Sequence, residues 1–255
     1  VPMKTIGSEL SARIDQAAAD LPGVTRRVLM ERAAAALARG CEGLARASRD
    51  PAAVRFHVFC GKGYNGGDGY AAAGLLQARG ARVWVWDTFP GARLSEETGR
   101  FRSACLSAGI PVRPAEMFRE DEAGPAEDLL LVDAVFGTGF RGEGLPDPVR
   151  TLFARWEALR RQGARIVAAD LPSGVDADTG LCPPETPRAV RTITFLAVKT
   201  GLVSWPGRER AGEILSDPLG LPGDFLDDAI GASSCEAVDL ALAEMQRVLR
   251  PGGRL

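Results

Sequence analysis

Short apolar runs rich in β-branched and aromatic residues alternate with helical segments along this chain. The runs cover residues 54–60, 82–86, 129–136, 165–171 and 190–196, and a weaker run at 213–216 is typical of an edge strand. Helical spacing is found at 70–79, 95–108 and 151–162, and earlier over 8–47, where Thr25 is a candidate N-cap. Strands joined through helices run parallel and are covered on both faces. We therefore expect a Rossmann-like, three-layer α/β/α sandwich, with N-terminal helices and a mostly parallel central sheet.

The chain length suits one large domain with a short appendage. Its 255 residues can bury a full core. Residues 219–234 contain Gly, Pro and Asp and are expected to be irregular, and residues 236–249 have the spacing of one amphipathic helix. We expect a single domain over residues 1–232 and a C-terminal helical tail or linker stub over residues 233–255.

Charge and cysteine content exclude several classes of function. The net charge of -2 gives no electrostatic reason to expect nucleic-acid or membrane binding. Five cysteines lie far apart without a C-x-x-C pair, which argues against a disulfide framework or a zinc site. No apolar stretch is long enough to span a bilayer, and no secretory leader is recognisable. We therefore expect a cytoplasmic location.

The single histidine, His57, lies inside an apolar run and is expected to be a buried, hydrogen-bonded strand residue. A buried His57 argues against Ser-His-Asp and Cys-His chemistry, because both need a histidine base. We expect any acid–base catalysis to be carried out by Asp, Glu, Lys or Tyr, or by the substrate itself.

A glycine-rich segment, residues 61–69, follows the first apolar run and precedes a helical segment. The G-x-G-x-x-G pattern is formally met by Gly61, Gly63 and Gly66. Asp87 closes the next strand, where a dinucleotide fold places its ribose-binding acid, so an NAD-dependent dehydrogenase is one interpretation. Asp68 argues against it, because a carboxylate there would approach a pyrophosphate at the helix N-terminus. A tight structural turn is the remaining alternative.

Two further polar segments, residues 133–142 and 170–176, follow the third and fourth strands, and ligands bind at the carboxyl ends of parallel strands. The acids Asp133 and Asp170 are costly to bury unless paired, bound to a cation or capping a helix. If Asn65, Asp133 and Ser173 converge, their oxygens form a hard-cation set rather than a transition-metal set. Lys199, after the fifth strand, would lie at the same edge unless it is an ordinary surface lysine.

The three segments together resemble the NAD(P)H-hydrate epimerases, the YjeF-type N-terminal domain, over most of residues 9–220. Residues 61–69 resemble the family's G-x-G-N-N-G-G-D-G, residues 133–139 its D-A-x-F-G-T-G and residues 170–174 its D-I-P-S-G. Residues 192–195 and 199–202 look like its T-x-T-F and K-x-G-L. The chain departs from the pattern at Tyr64, where the family has Asn, and at Ala34, where it has Gly.

The resemblance implies a usually dimeric isomerase that interconverts the R and S forms of hydrated NADH or NADPH with a bound potassium ion. By position, potassium would be held by Asn65, Asp133 and Ser173. The substrate would contact Tyr64, Asn65, Gly66, Gly67, Asp68, Gly137, Thr138, Gly139, Phe140, Arg141, Gly142, Glu143 and Asp170. Relatives are often fused to a nucleotide-dependent dehydratase, so the chain is a stand-alone enzyme or part of a bifunctional one.

Asp170 and Lys199 are the candidate catalytic residues. The hypothesis is that Asp170 exchanges a proton with the hydroxyl on ring carbon 6, and that Lys199 orients phosphate or ribose. Two rival functions stay open at this point. One is the NAD-dependent dehydrogenase, with Asp87 on the adenosine ribose. The other is a non-catalytic nucleotide-binding or interaction module, which Tyr64 mildly favours.

Overall fold

The computed structural model describes residues 5–142 and 144–231. Its strands are β1 (Arg55–Cys60), β2 (Arg82–Asp87), β3 (Val112–Pro114), β4 (Leu129–Ala134), β5 (Arg165–Ala169), β6 (Arg191–Phe195) and β7 (Glu213–Asp217). Its α-helices are α1 (Ser8–Ala18), α2 (Arg26–Arg46), α3 (Tyr64–Ala78), α4 (Glu96–Ser107), α5 (Glu120–Ala123), α6 (Asp147–Arg161), α7 (Thr200–Val203) and α8 (Gly207–Ala211). Short 3-10 turns occupy Pro51–Ala53, Ala115–Met117 and Ala126–Asp128.

The strands form one seven-stranded sheet in the order β3-β2-β1-β4-β5-β6-β7, and every pair is parallel. The strand order reverses between β1 and β4, which lie side by side although two strands separate them in the chain. In such sheets a crevice opens at the carboxyl ends of the two strands where the order reverses. The predicted parallel α/β architecture is therefore confirmed.

Two apolar layers sandwich the sheet, because alternate side chains of each strand point to opposite faces. On one face Phe56, Val58 and Cys60 of β1 pack in the same cluster as α1, α2 and α3. On the other face Phe59 packs in the cluster that contains the apolar side of α6. That side consists of Val149, Leu152, Phe153, Trp156 and Leu159, at helical spacing.

The segment 8–47, predicted to be helical, forms two helices separated by a turn in which Gly23 has a φ of 75°. Local structure differs from the sequence-based expectation in two places. Strand β3 was not predicted, since three residues are too few to show a period. Residues 223–231 are helical, so the expectation of irregular structure there was wrong. Thr25 is confirmed as an N-cap, because its side chain accepts a hydrogen bond from the Val28 N–H.

His57 is a structural residue, as predicted. Its side chain is 4% exposed, its ring stacks on Trp84, and its Nδ1 accepts a hydrogen bond from Trp86 Nε1 at 3.0 Å. Burial lowers the pKa of His57 to about 4, so the imidazole is neutral at physiological pH.

Within the described residues, the helices are too short or too polar for any one of them to cross a membrane. Cys41, Cys60, Cys105 and Cys182 are free thiols. The predicted tail at 233–255 lies outside the described residues, so the domain boundary stays a prediction.

Candidate functional site

The glycine-rich segment is mostly helix rather than loop. Helix α3 begins at Tyr64, ahead of the predicted start at residue 70, and Gly66 and Gly69 lie in its first turns. A Cβ atom at Gly66 would lie 1.9 Å from the Gly61 carbonyl oxygen, and one at Gly69 would lie 2.7 Å from the Ala134 Cβ. These glycines therefore let the helix N-terminus press against the carboxyl ends of β1 and β4.

A cavity of about 790 Å³ opens at this edge of the sheet. All three polar segments that follow β1, β4 and β5 contribute to its wall. Of the residues predicted to contact substrate, those that line it are Tyr64, Asn65, Asp68, Gly137, Thr138, Gly139, Phe140, Arg141 and Asp170. Loops far apart in the chain thus meet at one site, because parallel strands end at the same edge.

The other predicted contact residues are placed differently. Gly66 and Gly67 do not line the cavity, and a Cβ at Gly67 would lie 2.7 Å from the Met30 sulfur, so both serve close packing. Gly142 lies outside the wall and has a φ of 69°, which favours glycine at that turn. Glu143 lies outside the described residues.

Two of the three predicted potassium ligands, Asn65 and Ser173, meet at the backbone of Phe136, and the third, Asp133, is bonded to Ser173. Asn65 Nδ2 donates to the Phe136 carbonyl at 2.8 Å, and Ser173 Oγ accepts from the Phe136 N–H at 2.8 Å. Ser173 also donates through Oγ to Asp133 Oδ1 at 2.5 Å and through its backbone N–H to Oδ2 at 2.8 Å. Asp133 and Ser173 are both 0% exposed, which places them behind the cavity wall that Asn65 helps to form.

One atom of this group lacks a partner. Asn65 Oδ1 is buried and accepts no hydrogen bond from the described residues. A buried amide oxygen without a donor is unusual, and a bound cation is one way to satisfy it. Burial also raises the pKa of Asp133 to about 6, against the hydrogen bonds from Ser173, so a nearby positive charge would favour the carboxylate form. This oxygen-only set fits a hard cation.

Asp170 and Lys199 form a buried ion pair in the cavity wall. Lys199 is 1% exposed, and its Nζ lies 2.5 Å from Asp170 Oδ1 and 2.6 Å from the Phe195 carbonyl. The same carboxylate oxygen accepts from Thr194 Oγ1 and the Phe195 N–H, both at 3.2 Å. The alternative of a solvated surface lysine is therefore wrong.

The backbone around this pair is unusual. Asp170 has a φ of 65°, in the left-handed region that non-glycine residues rarely adopt. Ile6 pairs with the backbone on both sides of Lys199: its N–H donates to the Val198 carbonyl, and its carbonyl accepts from the Thr200 N–H. Such strain persists where surrounding contacts hold it, and it is concentrated at functional sites.

Two more carboxylates lie in the same cavity. Asp68 on α3 is 8% exposed, and burial together with the charges of Asp170 and Asp15 raises its pKa well above the usual range. Asp15 on α1 lines the cavity with its side chain exposed, yet desolvation by the surrounding protein raises its pKa to about 6. The cavity therefore combines three acids with one buried lysine.

The N-terminal helices supply a wall that sequence reasoning missed. Ser11 and Asp15 of α1 and Arg26 of α2 line the cavity opposite the three loops. Arg26 donates to the Tyr64 hydroxyl at 2.5 Å, and its guanidinium carbon lies 4.8 Å from the centre of that ring. The only available signal was the spacing of Ser11 and Asp15, four residues apart on one helix face.

Asp87 does not behave as a ribose-binding acid. It is 6% exposed, and its carboxylate accepts from Arg102 Nε and from the Phe89 N–H, both at 3.2 Å. It does not line the cavity. Asp87, the residue that favoured a dehydrogenase, is therefore bonded to other residues of the protein rather than directed into the cavity.

Several known proteins are similar to this chain in sequence or in fold. The chain is 36% identical over 209 residues to the bifunctional NAD(P)H-hydrate repair enzyme Nnr of Escherichia coli (strain K12), covering 82% of this chain but 38% of that protein. It is 33% identical over 208 residues to the NAD(P)H-hydrate epimerase of Limosilactobacillus fermentum, covering 81% of this chain and 92% of that one. The chain thus spans under half the length of the bifunctional relative.

A solved structure, that of the yeast protein ynu0, YNL200c, matches the fold with a TM-score of 0.71. The match covers 89% of this chain and 93% of the yeast chain at 23% identity. A family model described as the YjeF-related protein N-terminus matches residues 26–201, which include all three loop motifs. With the motifs in order, the parallel fold and this match in agreement, the chain belongs to the YjeF-related protein N-terminus family.

Proposed function

We propose that this chain interconverts the R and S forms of hydrated NADH and hydrated NADPH at ring carbon 6, as an isomerase of nicotinamide cofactor repair. One observation carries the proposal: the three motif-bearing segments line one cavity, with the Asp170–Lys199 pair in its wall. The volume of about 790 Å³ lies within the range of about 300–1,000 Å³ that is usual for ligand pockets. The similarity to a named NAD(P)H-hydrate epimerase supports the same reaction.

The reaction needs a proton to move at the substrate hydroxyl. Protonation lets the C6–O bond break with its electron pair on the departing water, and the ring nitrogen stabilises the resulting cation. Water that returns to the opposite face and loses a proton gives the other epimer. Asp170, in the cavity wall, exchanges a proton with the oxygen that leaves or adds on one face of the ring.

Lys199 acts through Asp170 in this proposal. Its ammonium group is engaged by Asp170 and the Phe195 carbonyl, so it serves to orient the carboxylate rather than to bind a phosphate. The exposed cations Lys62 and Arg141, which also line the cavity, are better placed for the substrate's phosphates.

Potassium is the cation proposed for the oxygens of Asn65, Asp133 and Ser173. The orphaned Asn65 Oδ1 and the buried Asp133 carboxylate support it. When bound, the ion supplies a fixed positive charge behind the loops that line the cavity. Asn65, Asp133 and Ser173 hold the 133–142 segment against the start of α3, and so keep Gly137 to Arg141 in the cavity wall.

Assembly and context extend the proposal. We expect a cytoplasmic homodimer that acts alongside, or fused to, a nucleotide-dependent dehydratase. The similarity to bifunctional repair enzymes supports the coupling, and sedimentation of the purified chain tests the dimer.

The decisive experiment incubates the purified R form of hydrated NADH with the protein and follows both epimers by chiral chromatography, first in potassium and then in sodium. We expect a mixture of epimers, formed faster in potassium. An R form that stays unchanged overturns the function, and equal rates in both salts overturn only the potassium site. Alcohol-dependent reduction of NAD would instead identify a dehydrogenase, and tight binding without epimerisation a binding module.

A further inference from the structure

Asp68 is a buried acid without a partner. It is 8% exposed and lines the cavity, yet no hydrogen bond or ion pair joins its carboxyl group to the residues described. An ionised carboxylate in such a place has lost most of its contact with water without gaining a donor or a counter-ion from the described residues. The neutral carboxylic acid avoids that penalty and keeps a proton available to a molecule in the cavity.

Asp170 is in the opposite situation. Three donors converge on its Oδ1: the charged Lys199 Nζ at 2.5 Å, and Thr194 Oγ1 and the Phe195 N–H, both at 3.2 Å. These contacts stabilise a carboxylate. The cavity therefore holds one buried carboxyl group that lacks a donor from the described residues and a second whose oxygen is held by three donors, and such a difference in surroundings can assign one group as acid and the other as base.

Two of the charged groups near Asp68 oppose its ionisation, as its burial does. Asp15 faces it from α1 and Asp170 from the end of β5, and both carry negative charge that opposes ionisation. Lys199 favours ionisation but is already bonded to Asp170, and Arg26 of α2 is engaged with Tyr64. Burial is the largest influence and keeps the pKa of Asp68 well above its usual range.

We propose that Asp68 is the general acid of the epimerisation, entering the cycle as a neutral carboxylic acid while Asp170 enters as a carboxylate. This inference rests on the proposed function and assigns the proton that the function requires. Asp68 gives its proton to the C6 hydroxyl, and the C6–O bond breaks with its electron pair on the departing water. Asp170 takes the proton of the water that adds to the other face.

The proton count closes within one turnover. One proton leaves Asp68 and one arrives on Asp170. The ring is neither oxidised nor reduced. The solvent supplies only the water that replaces the departing one. Water in the cavity then carries the proton from Asp170 back to Asp68. The reverse reaction uses the same two groups in exchanged roles, as microscopic reversibility demands.

The test compares wild type with Asp68→Asn, which keeps the shape but removes the transferable proton. We expect kcat for epimerisation to fall by about 10²- to 10⁴-fold with KM little changed. The wild-type rate declines as alkaline pH removes the Asp68 proton, and the variant lacks that decline. Glu31→Gln is the matched control, because Glu31 is a carboxylate of α2 outside the cavity wall.

A second readout does not need turnover. Infrared difference spectra at neutral pH should show a protonated carboxyl band in wild type that is missing in Asp68→Asn, whose melting temperature should equal or exceed that of wild type. If wild type epimerises and the variant matches its kcat, or if the band is missing from wild type, the role of Asp68 is overturned. If wild type itself fails to epimerise, the proposed function falls, and the proposal with it.

Discussion

Lys199 Nζ lies 2.5 Å from Asp170 Oδ1, and the lysine side chain is 1% exposed. The two residues come from different turns at the carboxyl edge of the sheet, one after β5 and the other after β6. Desolvating two charges offsets much of their attraction, so this pair is weak evidence for stability alone. The pair lies in the cavity wall, and its acid, Asp170, has a φ of 65°. These two features indicate that Lys199 positions Asp170 as a reacting group.

Replacing Lys199 with Met should destabilise the fold by about 3–5 kcal/mol, because Asp170 would be left as an unpaired, buried carboxylate. Urea unfolding followed by fluorescence measures the change. Combining Lys199→Met with Asp170→Asn should recover part of the loss, since the second change removes the stranded charge. A single variant as stable as wild type would show that water reaches Asp170.

Asp170→Asn should lower epimerisation by about 10²- to 10⁴-fold. The variant should stay folded but be less stable than wild type: Asn tolerates the left-handed φ of this position and can still accept from Lys199, while the buried lysine loses its counter-charge. Chiral chromatography of the products gives the rate, and near-ultraviolet circular dichroism checks the fold. A folded variant with near-wild-type rates would remove Asp170 from catalysis.

Gly66→Ala should destabilise the protein by about 3 kcal/mol or more, because the new Cβ would lie 1.9 Å from the backbone oxygen of Gly61. Gly74→Ala on the same helix is the matched control. No atom lies within 4 Å of a Cβ there, so better helix propensity should stabilise the fold by up to about 1 kcal/mol. Thermal melts of the two variants decide between a packing glycine and one that is merely flexible. Equal melting temperatures would show that α3 can move away from the sheet.

Acidification should destabilise the fold through His57. Burial lowers the pKa of His57 from 6.5 to about 4, so below pH 6.5 the unfolded chain binds a proton that the folded chain excludes. The contribution of His57 is complete above pH 6.5 and is lost as the pH falls to 4, a change of about 3 kcal/mol. Urea unfolding at several pH values should give a steeper acid loss for wild type than for His57→Gln. Parallel curves would mean that the imidazole is protonated without unfolding.

Much of the fold was predictable because it depends on local patterns. The buried strands β1, β2, β4, β5 and β6 are rich in apolar and β-branched residues, as is usual for strands covered on both faces. The convergence of the three loops followed from the same geometry, since the carboxyl ends of parallel strands share one edge. Strand β3 and the helix at 223–231 were missed, because three residues show no period and Gly, Pro and Asp masked a short helical spacing.

The site was less predictable, because its chemistry depends on distances between residues far apart in the chain. The motif predicts Gly66 as a substrate contact, and only the structure shows that its backbone also lies against Gly61. Asp15 was overlooked, because nothing local shows that α1 folds over the carboxyl edge of the sheet.

The sequence by itself determined the class of fold, the edge at which the loops gather and the family to which the chain belongs, since each of these is written in short, contiguous patterns. Only the tertiary structure decided which groups face one another there. The ion pair of Lys199 with Asp170, the orphaned oxygen of Asn65 and the partnerless acid of Asp68 all arise from packing between separate elements. The physical reason is that burial and neighbouring charge set the state of an ionisable group, and both exist only once the chain has folded.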